Sequence, residues 1–148
     1  MGGVLWEFEH SVSCKAPREF AWTYWTNPAN WHDPPARFEF DGPFAVGTWI
    51  KTIQPGQTLQ SVIREVEEPG TGLIEMEIAG ARVQFRWRFE ELGAEQTRIT
   101  QTLSLSGVAV SGLVEQARGL EQSVPAGMMK LADRIDEAWK RSRQRPPP

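Results

Sequence analysis

Cysteine is almost missing from this chain. Its 148 residues hold one, Cys14, so no disulfide can form within it, and the opening MGGVLWEFEH lacks the basic-then-apolar pattern of a secretory signal. Both observations lead us to expect an intracellular protein stabilised by its core. Histidine is scarce as well: His10 and His32 offer no metal-ligand spacing, so neither a metal nor another cofactor is expected. There is no nucleophile elbow, phosphate-binding glycine loop or catalytic triad. No apolar run approaches the about 18 residues of a membrane span, and Trp6 stands where a myristoylation motif on Gly2 would want Ser or Thr. No membrane anchor is expected. Positive charge is also in deficit, with a net charge of −3. The one basic cluster, Lys140, Arg141, Arg143 and Arg145, sits at the end of a helical stretch, where it complements the helix dipole. Nucleic acid is therefore not an expected partner.

What the chain does have is tryptophan, seven in all. Each is large and wants a partner for its indole N–H when buried, so many in one small domain imply either thick core packing or an aromatic-lined cavity. The length suits a single domain, residues 1–148, with a frayed proline-rich tail at 144–148. No repeat or linker divides it.

Hydrophobic periodicity supplies the elements. Trp6, Phe8, His10 and Val12 alternate with Glu7, Glu9, Ser11 and Ser13, the pattern of a half-buried strand. Pro17 then opens a short helix carrying Phe20, Tyr24 and Trp25, and Asn27-Pro28 starts a second short helix through Trp31 and His32. Strands follow from Arg37, over Thr48 to Ile53, Leu59 to Val66 and Leu73 to Ala79, along Val83, Phe85, Trp87 and Phe89, and over Thr97 to Ser106. Their short connections favour an antiparallel meander. Gly107 to Gly112 reads as a flexible break and Leu113 to Gln122 as a helical approach. From Ser123 to Arg143 the apolar residues Met128, Leu131, Ala132, Ile135, Ala138 and Trp139 mark one face of a long helix, which Ser123 caps or kinks with Pro125 near its start. Asp136 with Lys140, and Glu137 with Arg141, are spaced to pair on its outer side.

With this order of elements come local features: Ala16-Pro17 with Phe20 and Trp22, Trp31 in the second short helix, the segment Gly42-Pro43-Phe44-Ala45-Val46-Gly47-Thr48, and Glu65-Val66-Glu67-Glu68-Pro69-Gly70. In these the chain resembles the START-like, or SRPBCC, superfamily, specifically its bacterial polyketide cyclase/dehydrase and lipid-transport group. The resemblance implies an α+β helix-grip fold: a curved antiparallel sheet of about seven strands around a long C-terminal helix, with two short helices after the first strand. It also implies an apolar cavity between sheet and helix. Members range from inert carriers to cyclases, so the fold does not choose a chemistry.

The candidate site residues are the polar and aromatic groups that could face such a cavity. His10 shares a face with Trp6, Phe8 and Val12 and is either an acid or base or a core histidine paired to a neighbour. Arg64 faces inward if Val62 and Val66 do, where it could hold a carboxylate; the other register puts Leu59, Ser61 and Ile63 inside and Arg64 in water. Gln101 lies between Ile99 and Leu103 and could orient a ligand or merely pair with His10 or a water. Trp31, Trp87, Met76 and Met128 are candidates for the cavity wall or for plain packing. The leading expectation is a carrier of a small hydrophobic molecule, aromatic, polyketide-like or lipid. The alternatives are a cyclase or dehydratase using His10, and a chaperone-assisting interaction module. The segment Val124 to Leu131, with Pro125, Gly127 and two methionines, is expected over the cavity mouth.

Overall fold

Each stretch with a two-residue period is a strand in the structure, a computed structural model that describes residues 4–78, 80–107 and 113–144. Strands β1 (Val4–Cys14), β2 (Arg37–Phe40), β3 (Trp49–Gln54), β4 (Gln57–Glu67), β5 (Thr71–Ile78), β6 (Ala81–Gly93) and β7 (Gln96–Gly107) form one antiparallel sheet. Its order is β1-β7-β6-β5-β4-β3-β2, so all but β1 follow one another as a meander. The turns are short for chemical reasons. Between β3 and β4, Pro55 and Gly56 close the hairpin, and Gly56 takes a φ of 77° that a residue with a Cβ would resist.

β1 pairs with β7 at the opposite edge from β2. The connection between them must therefore cross the sheet, and it carries helix α1 (Arg18–Trp25) and a single 3-10 turn at Pro28–Asn30. The second short helix expected after Asn27 is this turn, capped by Asn27 and ending at Asn30, short of Trp31 and His32. Its side chains serve the end of α1 instead of extending a helix: Asn30 donates its amide to the Tyr24 carbonyl at 2.9 Å, and Trp31 donates its indole N–H to the Trp25 carbonyl at 2.6 Å. Carbonyls left free at a helix end need such donors.

Helix α2 spans Val114–Arg143, thirty residues and about 45 Å. Ser123 does not begin it. The approach and the main helix are one, with Pro125 inside, although an interior proline removes a hydrogen bond and costs about 3 kcal/mol. Anchors on both sides of it offset that cost: Ala117 is buried in one apolar cluster, and Met128, Ala132 and Ile135 in another. At the far end Trp139 and Arg143 both donate to Glu95 in the β6–β7 turn, at 2.8 and 2.7 Å. The pairs expected between Asp136 and Lys140 and between Glu137 and Arg141 do not form among the described residues. Asp136 instead accepts from the Lys15 backbone N–H. The positions 108–112, read as a break, Ala79, and 145–148 of the tail lie outside the described residues.

The pairing register arranges the inner face in rows across the sheet. Phe8, Leu103, Phe85, Ile74 and Ile63 are successive partners in one row; His10, Gln101, Trp87 and Gly72 form the next; Val12, Ile99 and Phe89 the one beyond. The larger core cluster lies on these rows, with Trp22 and Trp25 of α1 and Met128, Ala132 and Ile135 of α2 packed over them. Fully burying a side chain such as Ile135 stabilises the fold by about 1.5–3 kcal/mol.

Cys14 lies within this core, and burial, with the negative charge of Asp136 second, pushes its thiol pKa from 9.0 to about 11. The folded state thus holds this proton more tightly than the unfolded chain does. Stability from this group is complete below pH 9 and is lost as pH rises from about 9 to 11. Native Cys14 is expected to resist iodoacetamide and to react once the chain is unfolded in urea; fast labelling of the native protein would contradict its burial.

Candidate ligand-binding cavity

Helix α1 ends against the sheet where one strand has no side chain. Gly72 on β5 leaves a notch, and a Cβ placed there would come within 2.9 Å of the Trp25 ring. Trp25 fills the notch. Around it stand Phe44, Trp87, Phe89, Trp22 and Trp31, with ring centroids 4.8, 5.0, 5.4, 5.6 and 6.0 Å away. Trp31, fixed by its bond to the Trp25 carbonyl, packs edge-on against Phe38 and Phe40 of β2.

Between this aromatic layer and α2 the packing is incomplete. A cavity of about 370 Å³ remains, walled by Trp25, Trp31, Trp87, Phe38 and Phe85 and roofed by Val124, Gly127, Met128 and Leu131 of α2. This is within the size range of small-molecule sites. Gln101 lies in its inner wall, 6% exposed, with an amide oxygen that is buried and has no hydrogen-bond partner.

The charged lining residues are the exposed Asp33 and Lys130 and the half-buried Arg134. Arg134 donates to the His32 carbonyl at 2.6 Å, and Lys130 stands 3.9 Å from Asp33. Both contacts join α2 to the segment after the 3-10 turn. The ion pair is exposed on both sides and contributes little to stability. A polar groove containing Asp133, Glu137 and Arg141 adjoins the cavity at Tyr24, Asn30 and Arg134.

Of the residues singled out from sequence, Trp31, Trp87, Gln101 and Met128 come together on this cavity. Three others do not. Met76 packs in the smaller cluster with Val83, Leu105 and Ala117. His10 is half-buried on the inner face, beside Gln101 in the register, but it does not line the cavity, and no hydrogen bond joins the two side chains among the described residues. Arg64 faces away. A β-bulge between Ile63 and Glu65 inserts it as an extra residue, so Ile63 and Val66 both meet the core and neither regular register holds along β4. Its side chain is 52% exposed and lies 3.4 Å from Glu75. Glu75 is itself 9% exposed under Arg64, Arg82 and Gln84.

Sequence reading missed Trp25, Phe38 and Phe85 as wall residues. Phe85 had a signal, since it shares a strand face with Trp87. Trp25 had none, because its place depends on α1 meeting the notch at Gly72.

A curved antiparallel sheet gripping a long helix over an apolar cavity defines a START-like hydrophobic-ligand-binding domain. The chain belongs to the polyketide cyclase / dehydrase and lipid transport family, whose profile matches residues 6–136. No curated protein matches it. Among solved structures it is similar to norcoclaurine synthase from Thalictrum flavum, at 16% identity and a TM-score of 0.74, covering 97% of this chain and 99% of that one. It is similar also to protein MLL2253 from Mesorhizobium loti, at 17% identity and a TM-score of 0.74, over 89% and 98% of the two chains. Ara h 8.0201 shares 17% identity at a TM-score of 0.63, over 92% and 97%. At these identities the likeness is one of fold. No helix among the described residues is long and apolar enough to cross a membrane.

Proposed function

We propose that this domain binds and carries a small, predominantly aromatic molecule in the cavity between sheet and α2. The observation that carries the reading is the wall: six aromatic side chains, Tyr24 among them, border a void of about 370 Å³ whose charged lining is limited to Asp33, Lys130 and Arg134. Aromatic faces and a methionine suit a flat apolar ligand, which gains by leaving water. One of the similar structures, norcoclaurine synthase, holds dopamine and hydroxybenzaldehyde, both small aromatics, which agrees with the reading. Binding of this kind needs no acid or base, and His10 has no part in it.

A thermal-shift screen of mono- and bicyclic aromatics, followed by native mass spectrometry of the hits, tests the proposal. Stabilisation should follow RT ln(1 + [L]/Kd), about 2.7 kcal/mol at a hundredfold excess over Kd. A screen that shifts nothing, with no adduct in the native spectrum, would sink it.

A further inference from the structure

Gln101 is a polar group in an apolar wall that the protein does not satisfy. It is 6% exposed, borders the cavity, and its amide oxygen has no hydrogen-bond partner. Buried amides are nearly always paired, and leaving one unpaired carries a substantial penalty. Its register neighbours are His10 on β1 and Trp87 on β6, and neither bonds to it among the described residues. A leucine would fill the same space without that penalty. The other buried orphan among the described residues, Arg18 Nε, does not border this cavity.

The charged lining residues decide what could meet this amide. Asp33 and Lys130 are exposed, and the half-buried Arg134 commits one N–H to the His32 carbonyl; among the described residues none of them bonds to Gln101. A carboxylate pushed against Gln101 would be desolvated with only a neutral amide to meet it, which costs far more than burying a hydroxyl. The carboxamide can turn over to offer either its oxygen or its NH₂, so it can accept from a hydroxyl or donate to a carbonyl.

We infer that Gln101 is the specificity-determining residue of the cavity, and that the ligand is a neutral aromatic molecule with a hydroxyl or carbonyl group at its inner end, seated against that carboxamide. This rests on the binding function proposed above and narrows its ligand.

Calorimetric titration with methylnaphthalene, naphthol and naphthoate, three bicyclic probes of similar shape, tests it on the wild-type chain and on Gln101→Leu. The wild type should prefer naphthol to methylnaphthalene by about tenfold, the worth of one hydrogen bond, and bind naphthoate most weakly. In Gln101→Leu the preference between the first two should reverse, and the thermal midpoint should hold or rise because the orphan amide is gone. If that variant does not fold, Gln101→Met carries the same comparison. An unchanged preference for naphthol in the variant overturns the assignment, as does an equal loss of affinity for all three probes. A wild type that binds methylnaphthalene and naphthol equally refutes the polar contact and leaves the cavity reading standing. A wild type that binds none of the three removes the cavity reading and this inference together.

Discussion

Trp25→Ala is expected to remove about 3–5 kcal/mol from the stability of the fold, the range for deleting a large buried aromatic. Trp25 is 3% exposed and touches the rings of Trp22, Trp31, Phe44, Trp87 and Phe89, which lie on α1, on the segments flanking β2 and on β6. Truncation leaves a hole that cannot collapse, because its floor is the backbone of β5 at Gly72 and its sides are rings held by their own neighbours. The hole also opens into the cavity, so water enters where the wall had been. Total stabilities of such domains are about 5–15 kcal/mol, so the variant should sit near the edge of folding. Urea titration measures this, and a loss below about 1 kcal/mol would mean that the aromatic layer repacks and is not a fixed wall.

Gly72→Val should cost about 1–3 kcal/mol, against the usual preference of strands for valine. At an ordinary strand position, replacing glycine cuts the freedom of the unfolded chain and stabilises by about 0.4–1 kcal/mol. Here the new Cβ would stand 2.9 and 3.0 Å from two atoms of the Trp25 ring. That ring is packed against Phe44, Trp87 and Phe89 and can yield only toward the cavity, at the expense of those contacts. Steric conflict outweighs the entropy gain, and ligand affinity should fall with stability because Trp25 is driven toward the void. Gly127→Ala is the control, since a Cβ there meets nothing within 4 Å. It should leave stability unchanged or raise it by about 0.5–1 kcal/mol. If Gly72→Val melts no lower than the wild type, the notch does not set the position of Trp25.

Much of this architecture was legible in the sequence because strands and helix write different periods. Val83, Phe85, Trp87 and Phe89 alternate for as long as β6 runs flat, and the stripe from Met128 to Trp139 marks the buried face of α2. What could not be read was whatever breaks a period without changing composition. The bulge at Arg64 moves one side chain to the other face with no glycine or proline to announce it. Pro125 announces a break that does not occur, since tertiary anchors on both sides keep the helix whole. The cavity was half legible. Trp31, Trp87, Gln101 and Met128 sit on a turn, two strands and a helix whose facing follows from local pattern, whereas Trp25 needed the meeting of α1 with a notch nearly fifty residues further along the chain, between Trp25 and Gly72.

The crowding of indoles around that notch gives the domain an optical property. Trp25 has Trp87, Trp22 and Trp31 with ring centres 5.0, 5.6 and 6.0 Å away, close enough for their electronic transitions to mix. The near-ultraviolet circular dichroism of the folded chain is then a property of the cluster and not of single rings. A molecule that slides between Trp31 and Trp87 retunes that coupling, so occupancy of the cavity can be followed by its optical signature with no label attached.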